Sequence, residues 1–310
     1  MIQSDSSGML PAEPGGESRG PIHPSQADVI EAPPQPASCP TCGGAAGSVP
    51  MVPVYALGRI EARCPTLSVE KELAQAAGRA DTAGKTDPQV FGELLSRPEN
   101  RYLVRQMCWV FTIQGLETYI LQPRVSGDFE LLVGALRPAP GPGDIDVVVG
   151  MRGPFAPPEM CNGLVVPIVV FDQIYSFDRD ALIKAIPRPR EVTAAAFGPA
   201  AAQVFDRIMQ MTDNAGATDE HRALNYLAMR YPAIYAGAAE AFARDFSLSG
   251  IEVRPSPLSG TRRLMDCIFS YTNRNTDFTE KFLVRVDTTE QFPFLVTKLS
   301  PYYDLSLANR

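Results

Sequence analysis

The sequence predicts an α+β fold in which mixed antiparallel sheets are joined by a central helical segment. Strand patterns prevail before residue 175 and return after residue 251, whereas helix patterns occupy most of residues 200–245. Runs of strands and runs of helices favour this class over a regular βαβ alternation. Hydrophobic residues make up 45% and charged residues 20% of the chain, as in an ordinary globular protein.

The N-terminal half combines strand patterns with short helix patterns. Asp87 can cap a helix that has Pro88 in its first turn, and Gln114-Gly115 can close a hairpin. Pro167 interrupts a buried strand, which indicates an edge or a bulge. The predicted strands cover residues 52–62, 107–113, 116–121, 145–150 and 164–174, and the predicted helices cover residues 69–77, 87–97 and 128–136. A proline-rich surface loop is expected over residues 152–158.

The C-terminal half begins with helix patterns and ends in strand patterns. Thr218 is placed to cap a helix, and Pro187-Arg188-Pro189 indicates a hinge-like break. The predicted helices cover residues 177–186, 200–211, 219–229 and 233–245, and the predicted strands cover residues 252–254, 264–271, 281–287 and 294–298.

The first 50 residues differ in composition from the rest, because they are rich in Pro, Gly, Ser and Ala. Too few large apolar side chains are present to offset the entropy cost of ordering, so we expect a disordered leader. The folded domain is expected over residues 51–305, with residues 306–310 as a tail. A subdivision near residues 187–198 stays open.

The overall composition excludes several functional classes. A net charge of −7 gives no general attraction for phosphate backbones, which argues against nucleic-acid binding. No apolar run approaches the roughly 20 residues that span a bilayer. The N-terminus lacks the pattern of a secretory signal, so a cytoplasmic location is expected. Six cysteines are too few for a disulfide scaffold, so buried free cysteines and at most one special pair are expected.

Five long segments together resemble one protein family. They are VYALGRIEARCPTLSVEKELAQAAGR (54–79), RPENRYLVRQMCWVFTIQGLETYILQPR (97–124), RGPFAPPEMCNGLVVPIVVFDQIYSFD (152–178), MTDNAGATDEHRALNYLAMRYPAIYA (211–236) and SYTNRNTDFTEKFLVRVDTTEQFPFLVTKLSPYYD (270–304). These segments are similar to the C-terminal domain shared by PatG and PatA, the multidomain proteases that mature cyanobactins. Cyanobactins are ribosomally made macrocyclic peptides. The resemblance implies a domain without an assigned chemistry in a peptide maturation pathway.

The sequence departs from that family in one important respect. Family members usually carry this domain behind a subtilisin-like protease or macrocyclase domain. This sequence contains no G-T-S-x-A nucleophile segment of the subtilisin type. Proteolysis or macrocyclisation is therefore expected to reside on a separate protein.

The sharpest local motif is a C-x-x-C turn, Cys39-Pro40-Thr41-Cys42. Two thiolates on one tight turn are a half-site for structural zinc. The missing ligands could come from a second copy of the turn in a homodimer or from the other cysteines, Cys64, Cys108, Cys161 and Cys267. A redox pair and two free thiols are the alternatives.

Histidine is scarce, which restricts acid–base chemistry. His23 lies in the leader, so His221 is the candidate general base, on the first turn of a predicted helix. The positive helix end would lower its pKa. A capping or solvated histidine is the alternative interpretation.

A second candidate site lies in the proline-rich region between two strands. It brings together Arg152, Glu159, Cys161 and Asn162. Functional residues often lie on such loops, and Cys161 could act as a nucleophile if a base lowered its pKa. A rigid loop with a half-buried thiol is the alternative.

Arginines recur among the C-terminal strands, where Arg254 and Arg263 are candidates for binding a peptide carboxylate. Arg152 and Asn162 of the proline-rich region are further candidates for binding a peptide or partner. The alternative is pairing of the local arginines with acidic residues across neighbouring strands. The acidic residues in question are Asp266, Asp277, Glu280 and Asp287.

Three hypotheses follow for the function. The first is an accessory, non-catalytic module that binds a precursor peptide, a maturation protease or another modifying enzyme. The second is a peptide-modifying enzyme that uses the Glu159/Cys161 loop or His221. The third is a zinc-tied structural oligomer. Apart from that zinc ion, no cofactor is expected.

Overall fold

A computed structural model of the chain describes residues 50–78, 87–137, 139 and 141–303. Its described part contains a closed five-stranded barrel, a four-stranded antiparallel sheet and eight α-helices. The α+β class predicted from the sequence is therefore confirmed. The expected leader, the C-terminal tail and the C-x-x-C turn with Cys39 and Cys42 lie outside the described residues.

The barrel occupies the N-terminal half of the described chain. Its strands are β1 (Val52–Arg63), β2 (Cys108–Ile113), β3 (Leu116–Pro123), β4 (Asp144–Phe155) and β5 (Pro167–Asp178). They close in the order β1-β2-β3-β5-β4, with β3 and β5 parallel and every other pair antiparallel. A five-stranded barrel of this topology is the oligonucleotide/oligosaccharide-binding (OB) fold.

Closure depends on β1, which pairs first with β4 and then with β2. Residues 52–58 pair with β4, and residues 59–63 pair with β2. Just after β1 changes its partner from β4 to β2, the Ile60 N–H donates to the buried Asp146 carboxylate at 2.9 Å. The Ser176 hydroxyl donates to the same carboxylate at 2.6 Å. Gly58 is required here because a Cβ would collide with the Thr112 carbonyl oxygen.

Short helices close one end of the barrel. They are α1 (Leu67–Gly78), α2 (Asp87–Leu95) and α3 (Arg101–Gln106), inserted between β1 and β2, and α4 (Phe129–Ala135) between β3 and β4. Leu132 of α4 and Leu103 of α3 are completely buried with the inward side chains of the strands. Among those inward side chains are Trp109, Phe111 and Tyr119.

The structure can be compared with two predicted loops, the hairpin turn between β2 and β3 and the proline-rich loop between β4 and β5. The hairpin between β2 and β3 turns at Gln114-Gly115, both with positive φ, as predicted. The loop between β4 and β5 begins later than the predicted proline-rich loop and extends beyond it, because β4 continues to Phe155 and β5 starts at Pro167. Pro167 pairs with Phe155 beside a register shift, which agrees with the predicted bulge.

The C-terminal half consists of a helical layer and the second sheet. The helices are α5 (Arg179–Ala185), α6 (Ala194–Met209), α7 (Asp219–Arg230) and α8 (Ala233–Ala243). The sheet has the order β6-β7-β8-β9, with β6 (Phe246–Pro255), β7 (Leu264–Asn273), β8 (Thr279–Asp287) and β9 (Phe294–Tyr302). Thr218 caps α7 by accepting from the His221 N–H at 3.2 Å, as predicted.

The largest core joins the two halves. The outward side chains of β1 and β4, such as Tyr55 and Val147, pack with the helices and with one face of the second sheet. Asn225 of α7 donates to the Tyr55 carbonyl at 2.8 Å, which satisfies a buried polar group. No helix in the described ranges has the length and apolarity needed to cross a membrane.

A third, smaller core lies on the outside of the barrel. The β4–β5 loop covers the outward side chains of β2 and β3, including Val110 and Ile120. A disulfide between Cys108 and Cys161 fixes the loop there, with the two Cα atoms 5.6 Å apart. The expectation of free thiols is wrong for this pair, because 53 residues of separation hide their proximity from a sequence reading. The face that OB folds use for ligands is thus partly covered.

Removing the disulfide should destabilise the protein. We expect the Cys108→Ser/Cys161→Ser double variant to lose about 2–4 kcal/mol of unfolding free energy, because a cross-link restricts the unfolded chain. Urea denaturation with and without reductant would measure this. Cys64→Ser, outside the disulfide, is the control. Equal stability of the oxidised wild type and the double variant would contradict the prediction.

The carboxylate at the barrel closure should give a defined pH dependence. Burial raises the pKa of Asp146, although bonds from Ser176 and Ile60 oppose the shift. A raised folded-state pKa means that the stability contribution is fully present below the unfolded pKa and is lost as pH rises through the folded pKa. Relative to Asp146→Asn, the wild type should therefore gain unfolding free energy as pH falls from neutral towards the usual aspartate range.

Denaturation of both proteins across that pH interval would test this expectation. Asp277→Asn, in an exposed turn with positive φ that asparagine tolerates, controls for the loss of one carboxylate. If the difference in unfolding free energy between the wild type and Asp146→Asn stays constant or shrinks as pH falls, the prediction is wrong.

Candidate functional site

His221 lies where the sequence placed it, on the first turn of α7. Burial lowers the pKa of its imidazole, with smaller opposing effects from Glu220 and Asp213. In the described part of the chain, its Nδ1 atom is buried and has no hydrogen-bond partner. The imidazole is thus not engaged with a serine or cysteine there, and the geometry provides no nucleophile–base pair at this position.

The loop that contains Cys161 does not provide a free thiol. The Cys161 sulfur is bonded to Cys108, so the predicted thiol nucleophile is wrong in this structure. Glu159 and Asn162 are exposed on the same loop. Asn162 and Gly163 both have positive φ and form the tight turn of the loop.

The zinc hypothesis finds few ligands within the described residues. Cys108 and Cys161 are joined and cannot supply thiolates. Cys267 is completely buried, and burial strongly raises the pKa of its thiol. Burial also raises the pKa of Cys64. Within the described ranges, no group of three or more His, Cys, Asp and Glu side chains could hold a metal.

The arginines proposed for peptide binding are engaged with the protein itself. Burial raises the pKa of Tyr119, and the positive charge of Arg152 in β4 opposes that shift. Arg254 of β6 donates to the Tyr302 hydroxyl at 2.5 Å. Arg263 donates to the Thr289 carbonyl at 2.7 Å. Arg152 and Asn162 belong to the barrel, whereas Arg254 and Arg263 belong to the second sheet, so the four do not converge.

The alternative of pairing within the C-terminal sheet holds for two of the arginines, Arg285 and Arg262, whereas other charges pair with residues outside the predicted set. Arg285 binds Asp266 across β7 and β8 at 2.6 Å, and the guanidinium of Arg262 lies 3.5 Å from the carboxylate of Asp287. Glu280 pairs with Arg244 at 2.8 Å. The remaining arginine in this region, Arg274, pairs with Asp245 at 3.4 Å.

Two adjoining cavities form a groove on the barrel, beside the disulfide. Their volumes are about 520 and 420 Å³, and they share Arg105, Ser126 and Phe129. The larger cavity lies between α3 and α4, and the smaller one continues over β2 and β3 to Met160. We call the combined depression the α3–α4 groove. Its size is in the range of sites that bind small molecules or peptide side chains.

The walls of the groove are held by specific bonds. The Trp109 indole N–H donates to the Val104 carbonyl at 3.0 Å and ties the last turn of α3 to β2. The Met107 N–H donates to the Leu103 carbonyl at 2.9 Å and ends that helix. At the other end, the Gln122 amide contacts the Met160 sulfur at 3.8 Å. The disulfide one residue further on keeps Met160 in this position.

The lining is divided about equally between apolar and polar groups. Val104, Val133 and Phe129 line the larger cavity, and Ile120 and Met160 line the smaller one. Ser126, Gln106 and Gln122 can exchange hydrogen bonds with a ligand. Neither cavity is lined by a histidine or a free cysteine. The groove thus offers apolar contacts and hydrogen-bonding groups to a ligand.

Sequence reasoning missed the groove, although part of its lining lies in segments that carry the family resemblance. Arg105, Phe129 and Met160 form no motif and are far apart along the chain. A detectable signal was the surplus of basic residues in the short α3 segment, where Arg101 and Arg105 stand one helical turn apart. Their surroundings depend on how α3 and α4 pack on the barrel.

The chain resembles known proteins in sequence over its C-terminal part and in fold over most of its length. Residues 191–302 match the family model described as PatG C-terminal. A solved structure described as "PatG Domain of Unknown Function" superimposes with a TM-score of 0.66 at 20% sequence identity, covering 81% of this chain and 98% of that chain. No curated protein matches the sequence. The predicted resemblance is thus confirmed: residues 191–302 carry the PatG C-terminal sequence pattern, and the chain has the fold of the PatG domain of unknown function.

Proposed function

We propose that this protein is a non-catalytic accessory module in the maturation of ribosomally made peptides, and that it binds the precursor peptide in the α3–α4 groove. The observation that supports this most directly is the groove itself, which places apolar side chains such as Phe129 and Met160 beside hydrogen-bonding groups. The resemblance to PatG supports a role in the maturation of ribosomally made peptides. A module that contributes by contact requires no catalytic set.

The groove offers the chemistry that an extended peptide needs. Apolar side chains of the peptide can lie on Phe129 and Met160. Each Å² of apolar surface buried there contributes about 25 cal/mol of favourable free energy. The peptide backbone can bond with Ser126, Gln106 and Gln122. Because α3 and Met160 are held in place by the protein, little ordering is needed on binding.

The edges of the second sheet are less suited to peptide binding. The edge strand β9 pairs with β8 through two register shifts and carries Lys298 and Pro301. The other edge strand, β6, is interrupted between Leu248 and Gly250. Bulges, lysine and proline are the devices by which proteins prevent strand addition. The groove is therefore the better candidate for the peptide.

Filling the groove should abolish peptide binding without unfolding the protein. Gly134 lines the larger cavity on α4, and a Cβ there would meet nothing within 4 Å. Gly134→Leu should weaken binding of short peptides that tile the precursor by about tenfold or more, because the new side chain occupies the cavity. Helix stability should rise slightly, since glycine is a poor helix former. Fluorescence anisotropy and thermal denaturation would measure the two effects.

Gly198→Leu is the matched control, because a Cβ on this glycine of α6 also meets nothing within 4 Å. It should leave binding unchanged. Equal affinity of wild type and Gly134→Leu would remove the groove from the proposal. Failure of every precursor peptide to bind, while a maturation protease binds, would replace the peptide by that enzyme as partner.

The residues of the competing enzyme hypothesis should be dispensable. We expect His221→Gln and Glu159→Gln, assayed below their unfolding temperatures, to support wild-type yields of the mature peptide. The reason is that Nδ1 of His221 has no hydrogen-bond partner among the described residues, and Glu159 is exposed on a loop whose cysteine is held in a disulfide. Mass spectrometry of product from a reconstituted pathway would test this. Loss of product with a folded His221→Gln protein would favour the enzyme hypothesis.

A further inference from the structure

We infer that the α3–α4 groove selects a peptide segment that carries a carboxylate, and that Arg105 binds this carboxylate. The inference rests on the proposed function and names the chemistry of its ligand. It is carried by the charge balance of the groove, by the position of Arg105 between the two cavities and by the fixed backbone of α3.

The charges that line the groove do not cancel. They are Arg101, Arg105 and Glu130. Arg101 and Glu130 form an ion pair of 2.7 Å at the rim, with both side chains largely exposed. Within the described part of the chain, no carboxylate lies within ion-pair distance of Arg105. One positive charge thus remains in the groove of a protein whose net charge is −7.

Arg105 stands where a ligand that fills both cavities must pass. It lines the larger and the smaller cavity and is exposed to solvent. Its backbone lies between Val104, which accepts the Trp109 indole bond, and the helix end at Met107. The guanidinium therefore projects from a fixed point, and binding a ligand orders only its own side chain.

A carboxylate is the partner that this geometry favours. A guanidinium offers two parallel N–H donors that match the two oxygens of a carboxylate. Phe129, which also lines both cavities, adds an apolar surface to the groove. An aspartate or glutamate side chain next to an apolar residue would satisfy Arg105 and Phe129 together.

A charge-exchange experiment tests the inference. The probes are fluorescein-labelled peptides that tile the precursor, each acidic one also made with the acidic residue replaced by its amide and by lysine. Wild-type protein should bind the acidic form about tenfold more tightly than the amide form, and the lysine form most weakly. Added salt should reduce this preference. In Arg105→Glu the order should reverse, with the lysine form binding best.

The control variant is Arg207→Glu on α6, which makes the same change of net charge outside the groove. It should keep the wild-type order. If peptides bind but affinity ignores the acidic residue, or if Arg105→Glu keeps the wild-type order, the inference is overturned while the proposed function stands. If no peptide binds wild type, the proposed function and this inference both fall.

Discussion

The barrel closes because β1 exchanges one partner strand for another within a few residues. Gly58 permits the close approach to β2, and the buried Asp146 carboxylate accepts the Ile60 N–H just after the exchange. Without these two features, an edge of the sheet would stay open and the inner core would be exposed. After closure, the outer faces of the strands point in different directions. These directions decide where the helices, the second sheet and the β4–β5 loop pack.

Different parts of the chain pack on the two outer faces of the barrel. The β1/β4 face is buried by the helices and the second sheet, which form the largest core with it. The β2/β3 face is covered by the β4–β5 loop, which the Cys108–Cys161 disulfide fixes in place. What stays accessible is the margin between this loop and α3–α4. The groove is therefore a consequence of how the OB-type barrel is covered, and its walls inherit the rigidity of the barrel.

The arginines that stabilise the fold differ from Arg105 in where their charge is neutralised. In the C-terminal half, Arg222 is almost completely buried and bonds with the Thr288 carbonyl, so it fixes the β8–β9 loop. Arg285 and Arg262 are likewise engaged with carboxylates. Removing such partners would leave buried groups unsatisfied, which is a structural cost. Arg105 differs because its free charge faces a groove, where a ligand can supply the missing partner.

The sequence by itself determined the class of fold, most helix and strand positions, the Thr218 cap and the family resemblance, because these depend on local periodicity and on neighbouring residues. It also favoured pairing of the C-terminal charges, since the residues fall on adjacent strands. Only the tertiary structure decided the closure of the barrel, the Cys108–Cys161 disulfide and the groove around Arg105. The physical reason is that these features join residues far apart in the chain, whose proximity is set by strand order and not by any local pattern.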